Sequence, residues 1–510
     1  MRILTAAETR AVDRKAIERF GVPGLLLMEH AAQAVAEAAR AALGASGRVF
    51  VVAGAGNNGG DGYAAARLLF AAGVSTKVLA AADRSRLAGD AAVNAGLFAA
   101  FGGEVASFAS EGLAAAGRGD VVVDALLGTG LSRAPEGVFG QAILAMNESR
   151  TRGAVVVAVD LPSGLDADTG LAPGLVVVAD RTVTFGALKV GLAVPPGREL
   201  AGAVEVAPIS WPPKALDGLA SRLELLDEAR VREALPLRKE QSHKGTYGHC
   251  LVVAGSPGKS GAAALAGSGA LVGGAGLVTI ATRAEVVPQV LGHAAELMAA
   301  PLPGDGALGR SDLPALLAAA EGKDVVLVGP GIPRGPETCA AIGAMLAGCD
   351  ATFVLDADAL NALAEEPTLL GRARGRVVIT PHPGEMARLA GTTIAEVQAD
   401  RIGVARRFAA AHGCTVILKG AGTVVADPGG DAAICPTGNA GMATGGSGDV
   451  LGGLVASLVA QGMAPPEAAR AAVFVHGTAG DRVAARTGMA GLVASDLLEG
   501  IREVWASWSL

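Results

Sequence analysis

Two successive doubly wound α/β domains are what this chain predicts. Its 510 residues are too many for a single hydrophobic core. In both halves, apolar runs of strand length alternate with helical stretches, the pattern that builds parallel sheets covered by helices. Glycine is abundant, with 73 residues, and aromatics make up only 3%, so packing must rest on Ala, Val and Leu with tight strand-to-helix turns.

Composition narrows the function. With 51% hydrophobic and 18% charged residues, the chain is globular rather than disordered. A net charge of −7 argues against broad nucleic-acid or anionic-membrane binding and leaves small molecules as the expected partners. Cys250, Cys339, Cys349, Cys414 and Cys435 form no CxxC pair and show no metal-ligand spacing, which suits free thiols in a reducing cytoplasm. The N-terminus is charged throughout and has no apolar leader core. Residues 260–282 carry no charge and could span a bilayer by length alone. Six glycines and several hydroxyl residues favour instead a buried helix followed by a strand at 276–281. A homo-oligomer in the cytoplasm, away from membranes, is expected.

In the first half, residues 5–19 have helical periodicity, with Thr5 and Glu8 in capping-box spacing, and a second helix is expected over 25–42. Residues 48–83 read strand, glycine turn, helix, strand. Gly54, Gly56 and Gly59 satisfy GxGxxG, and Asp83 stands near the place of a ribose-binding acid, so a nicotinamide dehydrogenase must be weighed. Asn57, Asn58 and Asp61 speak against it, because a carboxylate at that turn opposes a pyrophosphate. Two further strand ends carry polar groups: Asp124 before the glycine loop at 128–130, and Asp160, Ser163 and Asp166 in DLPSGLDADTG. Ligands of open parallel sheets sit outside such ends. Asn58, Asp124 and Ser163 could together supply oxygen ligands to a hard cation, although each alone could be an ordinary turn residue.

NNGGDG (57–62), DALLGTGL (124–131) and DLPSGLDADTG (160–170), behind a two-helix lead, resemble the NAD(P)H-hydrate epimerase domain over about residues 1–209. The resemblance implies that Asn57, Asn58, Gly59, Gly60 and Asp61 contact the hydrated nucleotide. It implies the same of Gly128, Thr129, Gly130, Leu131, Ser132, Arg133, Ala134 and Asp160. It further implies potassium at Asn58, Asp124 and Ser163, and Asp160 as the acid–base group.

A Pro-rich run at 211–222 separates domains expected over 1–215 and 223–510. Beyond it, strands are expected near 324–329, 351–356, 377–380 and 415–419. Asp356, Asp358 and Asn361 are candidates for holding hydrated Mg²⁺ or capping a helix, and His382 stands between two prolines with Glu385 at a helix start. The richest stretch is NAGMATGGSGDVLGGL at 439–454. Its glycines allow a backbone to approach an anion, and a helix starting near Gly448 would point free N–H groups at it. Asp449 beside such a site needs a task, that of a general base drawing a proton from an attacking hydroxyl.

That stretch, with its preceding hairpin, resembles the ribokinase-like superfamily, in which the second domain is expected to fold, as the first is expected to be Rossmann-like. KGTYGHCLVVAGS (244–256), GPG (329–331), DADALN (356–361) and TPHPGEMARL (380–389) bring the likeness closer to ADP- or ATP-dependent NAD(P)H-hydrate dehydratases, over about residues 225–510. By that likeness Lys419, Gly420, Ala421, Gly422, Thr423 and Gly448 bind the adenine nucleotide. Ala262, Gly331, His382 and Asp449 bind the hydrated nicotinamide, with Mg²⁺ as cofactor and ADP favoured over ATP. The expected activities are an isomerase and a lyase in one chain. The alternative is a ribokinase-like vitamin kinase fused to a non-catalytic nucleotide-binding module.

Overall fold

In the computed structural model the chain divides into two compact units, Met1–Arg222 and Leu223–Leu510. All residues are described except 132, 220–221, 305, 374–376 and 510, and counts below are of the described residues.

The first unit opens on a helix, Ala6–Phe20, whose Thr5–Glu8 capping box is formed and whose end turns through Gly21 at φ 70°. Seven parallel strands follow in spatial order Glu104–Ser107, Thr76–Ala80, Val49–Ala53, Val121–Ala125, Val155–Val159, Arg181–Phe185, Ala203–Ala207. Helices Gly24–Ala42 and Asn57–Ala71 cover one face through Val35, Ala64 and Leu69. Helix Gly137–Thr151 packs on the other through Ile143 and Met146, so the central strands Val49–Ala53 and Val155–Val159 are apolar along their length. The order reverses between Val49–Ala53 and Val121–Ala125, which opens a crevice at their carboxyl ends. A Cβ at Gly59 would meet the Gly54 carbonyl oxygen at 2.0 Å; only glycine lets that helix seat so closely on its strand.

The second unit has a ten-stranded sheet, ordered Leu223–Leu225, Ala432–Ile434, Val424–Ala426, Thr415–Leu418, Val377–Ile379, Thr352–Leu355, Val325–Val328, His249–Val253, Leu277–Arg283, Met298–Leu302. Pairing is parallel except around Val424–Ala426, the antiparallel hairpin expected ahead of the glycine-rich stretch. The uncharged segment resolves into helix Ser260–Val272 and strand Leu277–Arg283. That helix crosses Ser447–Ala460 backbone to backbone: a Cβ at Gly453 would meet the Ala266 carbonyl oxygen at 2.1 Å, and one at Gly269 the Val450 oxygen at 2.6 Å. No described helix is long and apolar enough to cross a membrane.

Candidate active sites

In the first unit, a cavity of about 550 Å³ lies at the carboxyl ends of the strands. Asp160 leaves its strand at φ 64°, a backbone state rare outside glycine. Its Oδ1 accepts from Lys189 Nζ at 2.6 Å and Thr184 Oγ1 at 3.0 Å. Lys189 is buried and also donates to Thr184 Oγ1 at 3.0 Å and the Phe185 carbonyl at 2.9 Å, which uses all three of its hydrogens. Asp13 faces the same cavity and accepts from Trp211 Nε1 at 2.8 Å; burial raises its carboxyl above the usual range. Asp61 is raised well above it, first by burial and then by the charges of Asp160 and Asp13.

The wall includes Asn57, Asn58, Asp61, Gly128, Thr129, Gly130 and Asp160. Gly59 and Gly60 are buried in helix packing, the latter against Met28 and Ala91. Leu131, Arg133 and Ala134 are not part of the wall, and Ala134 packs on Gly174. Ser132 lies outside the described residues. Lys189, Asp13 and Trp211 join the site without having been expected there.

The three expected cation ligands are linked through Leu127 and Ser163. Asn58 Nδ2 donates to its carbonyl at 3.0 Å, and its N–H donates to Ser163 Oγ at 2.8 Å. Ser163 donates to both oxygens of Asp124, from Oγ at 2.5 Å and from its N–H at 2.7 Å. Burial lifts the Asp124 carboxyl to about 6 against these hydrogen bonds, and no described cationic side chain pairs with it. A buried carboxylate, a carboxamide, a hydroxyl and a carbonyl make an all-oxygen donor set that fits a hard cation.

In the second unit the polar strand ends also gather. Lys419 Nζ donates to Asp356 Oδ1 at 2.7 Å. A Cβ at Gly448 would meet that ammonium at 3.2 Å and Asp356 Oδ2 at 3.7 Å, so the Lys419 and Gly448 segments touch. Gly446 takes φ 91° to start helix Ser447–Ala460, with no side-chain cap. Asp449 is the third helical residue and does not cap it. Burial, then the charge of Asp356, pushes its carboxyl up to about 7 although Lys419 opposes the shift. Buried His476, held to about 4 by burial, bonds through Nε2 to the Ser447 carbonyl at 3.0 Å and steadies this turn.

Gly420 and Gly422 take φ 139° and 63° on either side of Ala421, before Thr423, whose hydroxyl donates back to the Gly420 carbonyl at 2.9 Å. Ala262 and Gly331 are neighbours: a Cβ on the glycine would stand 3.0 Å from that of the alanine. His382 caps helix Pro383–Ala390, its Nδ1 accepting from the Gly384 N–H at 3.0 Å, while Glu385 returns a bond to its backbone at 2.8 Å. This places the second ring nitrogen as a donor on a half-exposed imidazole. Asp356, Asp358 and Asn361 are not arranged as a direct Mg²⁺ ligand set. Asp356 holds Lys419, Asp358 pairs with Lys259 and Arg334, and Asn361 accepts from Arg388. No group of three or more described His, Cys, Asp or Glu side chains could hold a metal.

Fold and sites together define the class: a two-site α/β enzyme, Rossmann-like in its first half and ribokinase-like in its second. The second half superposes on a ribokinase-like superfamily protein of Enterococcus faecalis with a TM-score of 0.50 at 24% identity, over 57% of this chain and 98% of that one. Residues 24–191 match the family model described as YjeF-related protein N-terminus, and residues 250–503 match the one described as NAD(P)H-hydrate dehydratase. The bifunctional NAD(P)H-hydrate repair enzyme of Moorella thermoacetica is 42% identical over 98% of this chain and 96% of its own length. That of Escherichia coli is 37% identical over 98% and 93%. The chain belongs to the bifunctional NAD(P)H-hydrate repair enzyme family.

Proposed function

We propose that the chain restores hydrated NADH and NADPH in two steps: its first half interconverts the R and S hydrates, and its second dehydrates the S hydrate with ADP or ATP as co-substrate. In the first site Asn57, Asn58 and residues 128–130 hold the nucleotide while Asp160, fixed by Lys189, exchanges a proton with the hydroxyl on the ring carbon bonded to nitrogen. Asn58, Asp124 and Ser163 would hold K⁺, which supplies a counter-charge to the buried carboxylate.

In the second site Asp449 takes the proton of that hydroxyl as its oxygen attacks the terminal phosphorus of the nucleotide. Lys419 and the N–H groups at the start of the Gly448 helix face the charge that develops there. Residues 420–423 cradle the rest of the nucleotide, and Ala262, Gly331 and His382 surround the hydrated ring. Hydroxide leaves poorly, whereas the phosphate ester departs readily as the ring nitrogen pushes in its lone pair. The transfer releases AMP from ADP or ADP from ATP. Loss of a proton to solvent from the ring carbon next to the one the phosphate leaves then gives NAD(P)H and inorganic phosphate. Mg²⁺ would enter with the nucleotide phosphates, and no step is assigned to it.

The observation that carries this reading is the apposition of Lys419, Gly448 and Asp449 at one helix start. Supplying hydrated NADH with ADP and with ATP, and following nicotinamide absorbance, tests it. Recovery of NADH supports it, whereas a stable phosphorylated product without NADH would make the enzyme a vitamin-type kinase.

A further inference from the structure

The first site is lined by four carboxyl groups, Asp13, Asp61, Asp90 and Asp160, but one lysine, and the lysine is spoken for. Lys189 spends its three hydrogens on Asp160, Thr184 and the Phe185 carbonyl. Asp13 is held by the Trp211 indole. Asp61 is different: it lines the cavity from the first turns of helix Asn57–Ala71, and no described group donates to it. The other charged groups facing that cavity are Arg10 and Asp90; Arg10 reaches the Thr129 carbonyl at 3.3 Å.

Inverting the hydroxyl-bearing carbon by opening the ring needs two proton transfers. One takes the hydroxyl proton as a carbonyl forms. The other delivers a proton to the ring nitrogen, which receives the electron pair of the breaking carbon–nitrogen bond. Asp160 beside its ammonium suits the first task. We propose that Asp61 performs the second, as the general acid that protonates the ring nitrogen on opening and takes the proton back on closure. The opened aldehyde rotates about its neighbouring carbon–carbon bond, and the nitrogen re-adds to the opposite face. Asp160 returns its proton to the oxygen, so no co-reactant is consumed. Burial and the lack of any described donor to its oxygens raise the Asp61 carboxyl well above the usual range, so it holds a proton to give.

This inference rests on the epimerase reading. Wild-type protein that inverts hydrated NADH no faster than the spontaneous rate would sink that reading itself. Given wild-type activity, steady-state inversion by Asp61→Asn and Asp61→Glu tests Asp61 alone, with thermal unfolding of each variant as the fold control. We expect Asn to lower kcat at least a hundredfold with KM within about threefold, and Glu to restore a tenfold or greater share of that loss. The wild-type rate should fall on the alkaline side, where Asp61 ionises, and this limb should vanish in Asp61→Asn. Loss confined to KM, or a kcat within twofold of wild type, would overturn the assignment, as would an Asn variant that keeps the alkaline limb.

Discussion

Both sites set a lysine against an aspartate, yet they use the ammonium in opposite ways. Lys189 is 1% exposed and saturated by three acceptors, so it can only hold Asp160 in place. Lys419 is 20% exposed, donates to Asp356 alone among the described residues, and stands against Gly448. Burial would lower its pKa, but Asp356 and Glu385 outweigh that and raise it, so the charge persists. A saturated ammonium fixes a base; one with spare hydrogens can also meet an incoming phosphate. The difference suits a proton exchange in the first site and a phosphoryl transfer, with its migrating negative charge, in the second.

The largest effect should come from the bases themselves. Asp449→Asn should lower dehydration of the S hydrate by about 10²–10⁴-fold and leave inversion of the R hydrate intact; Asp160→Asn should do the converse. If either variant lowers both rates, the two sites are not separate catalysts. Lys419→Met comes next. Removing a cation with spare donors should cost dehydration roughly a hundredfold and leave Asp356 uncompensated, whereas Lys189→Met should act on inversion alone. Gly448→Ala puts a methyl 3.2 Å from the Lys419 ammonium and should slow dehydration on the order of tenfold, read as a change in nucleotide KM.

Acid should separate the halves more gently. Asp449 accepts a proton only when ionised, and its carboxyl lies at about 7, so dehydration should fall below that pH by about tenfold per unit. A dehydration rate that stays flat from pH 7 to 5 would remove Asp449 from the role of base. The smallest effect expected is from ions: replacing K⁺ with Na⁺ should slow inversion and lower the unfolding temperature of the first unit by a few degrees, with dehydration unchanged.

Much of this was legible in the sequence because strand, glycine turn and helix impose local patterns. Asn58, Asp124 and Ser163 each stand at or just past the end of a predicted strand, and the parallel sheet then links them through Leu127 and Ser163. Asp449 was marked by the glycines before it. What the sequence hid were pairings between distant segments. Asp356 reads equally as a cation ligand or a cap until the fold sets it against Lys419, 63 positions away. Asp13 lies on an ordinary amphipathic helix, and only Trp211, 198 positions on, draws it to the site. Lys189 did leave a trace, as the sole charge between Arg181 and Arg198, where a buried lysine demands a partner. The glycines at 59 and 60 are also tight packing positions, a use that no residue pattern distinguishes from ligand contact.

Trp211 also bears on how the chain could be dissected. Its ring fills the space over Gly186, and behind it Ala215, Leu216 and Leu219 rest on Leu4 and Val12. Lys15 and Arg2 tie the same tail down through the carbonyls of Asp217, at 2.8 Å, and Leu216, at 3.2 Å. The stretch that looks like a tether is thus a strap across the opening helix. A fragment ending ahead of it would lose the indole that holds Asp13 and the lid of a small apolar cluster. Anyone separating the halves should cut past residue 219.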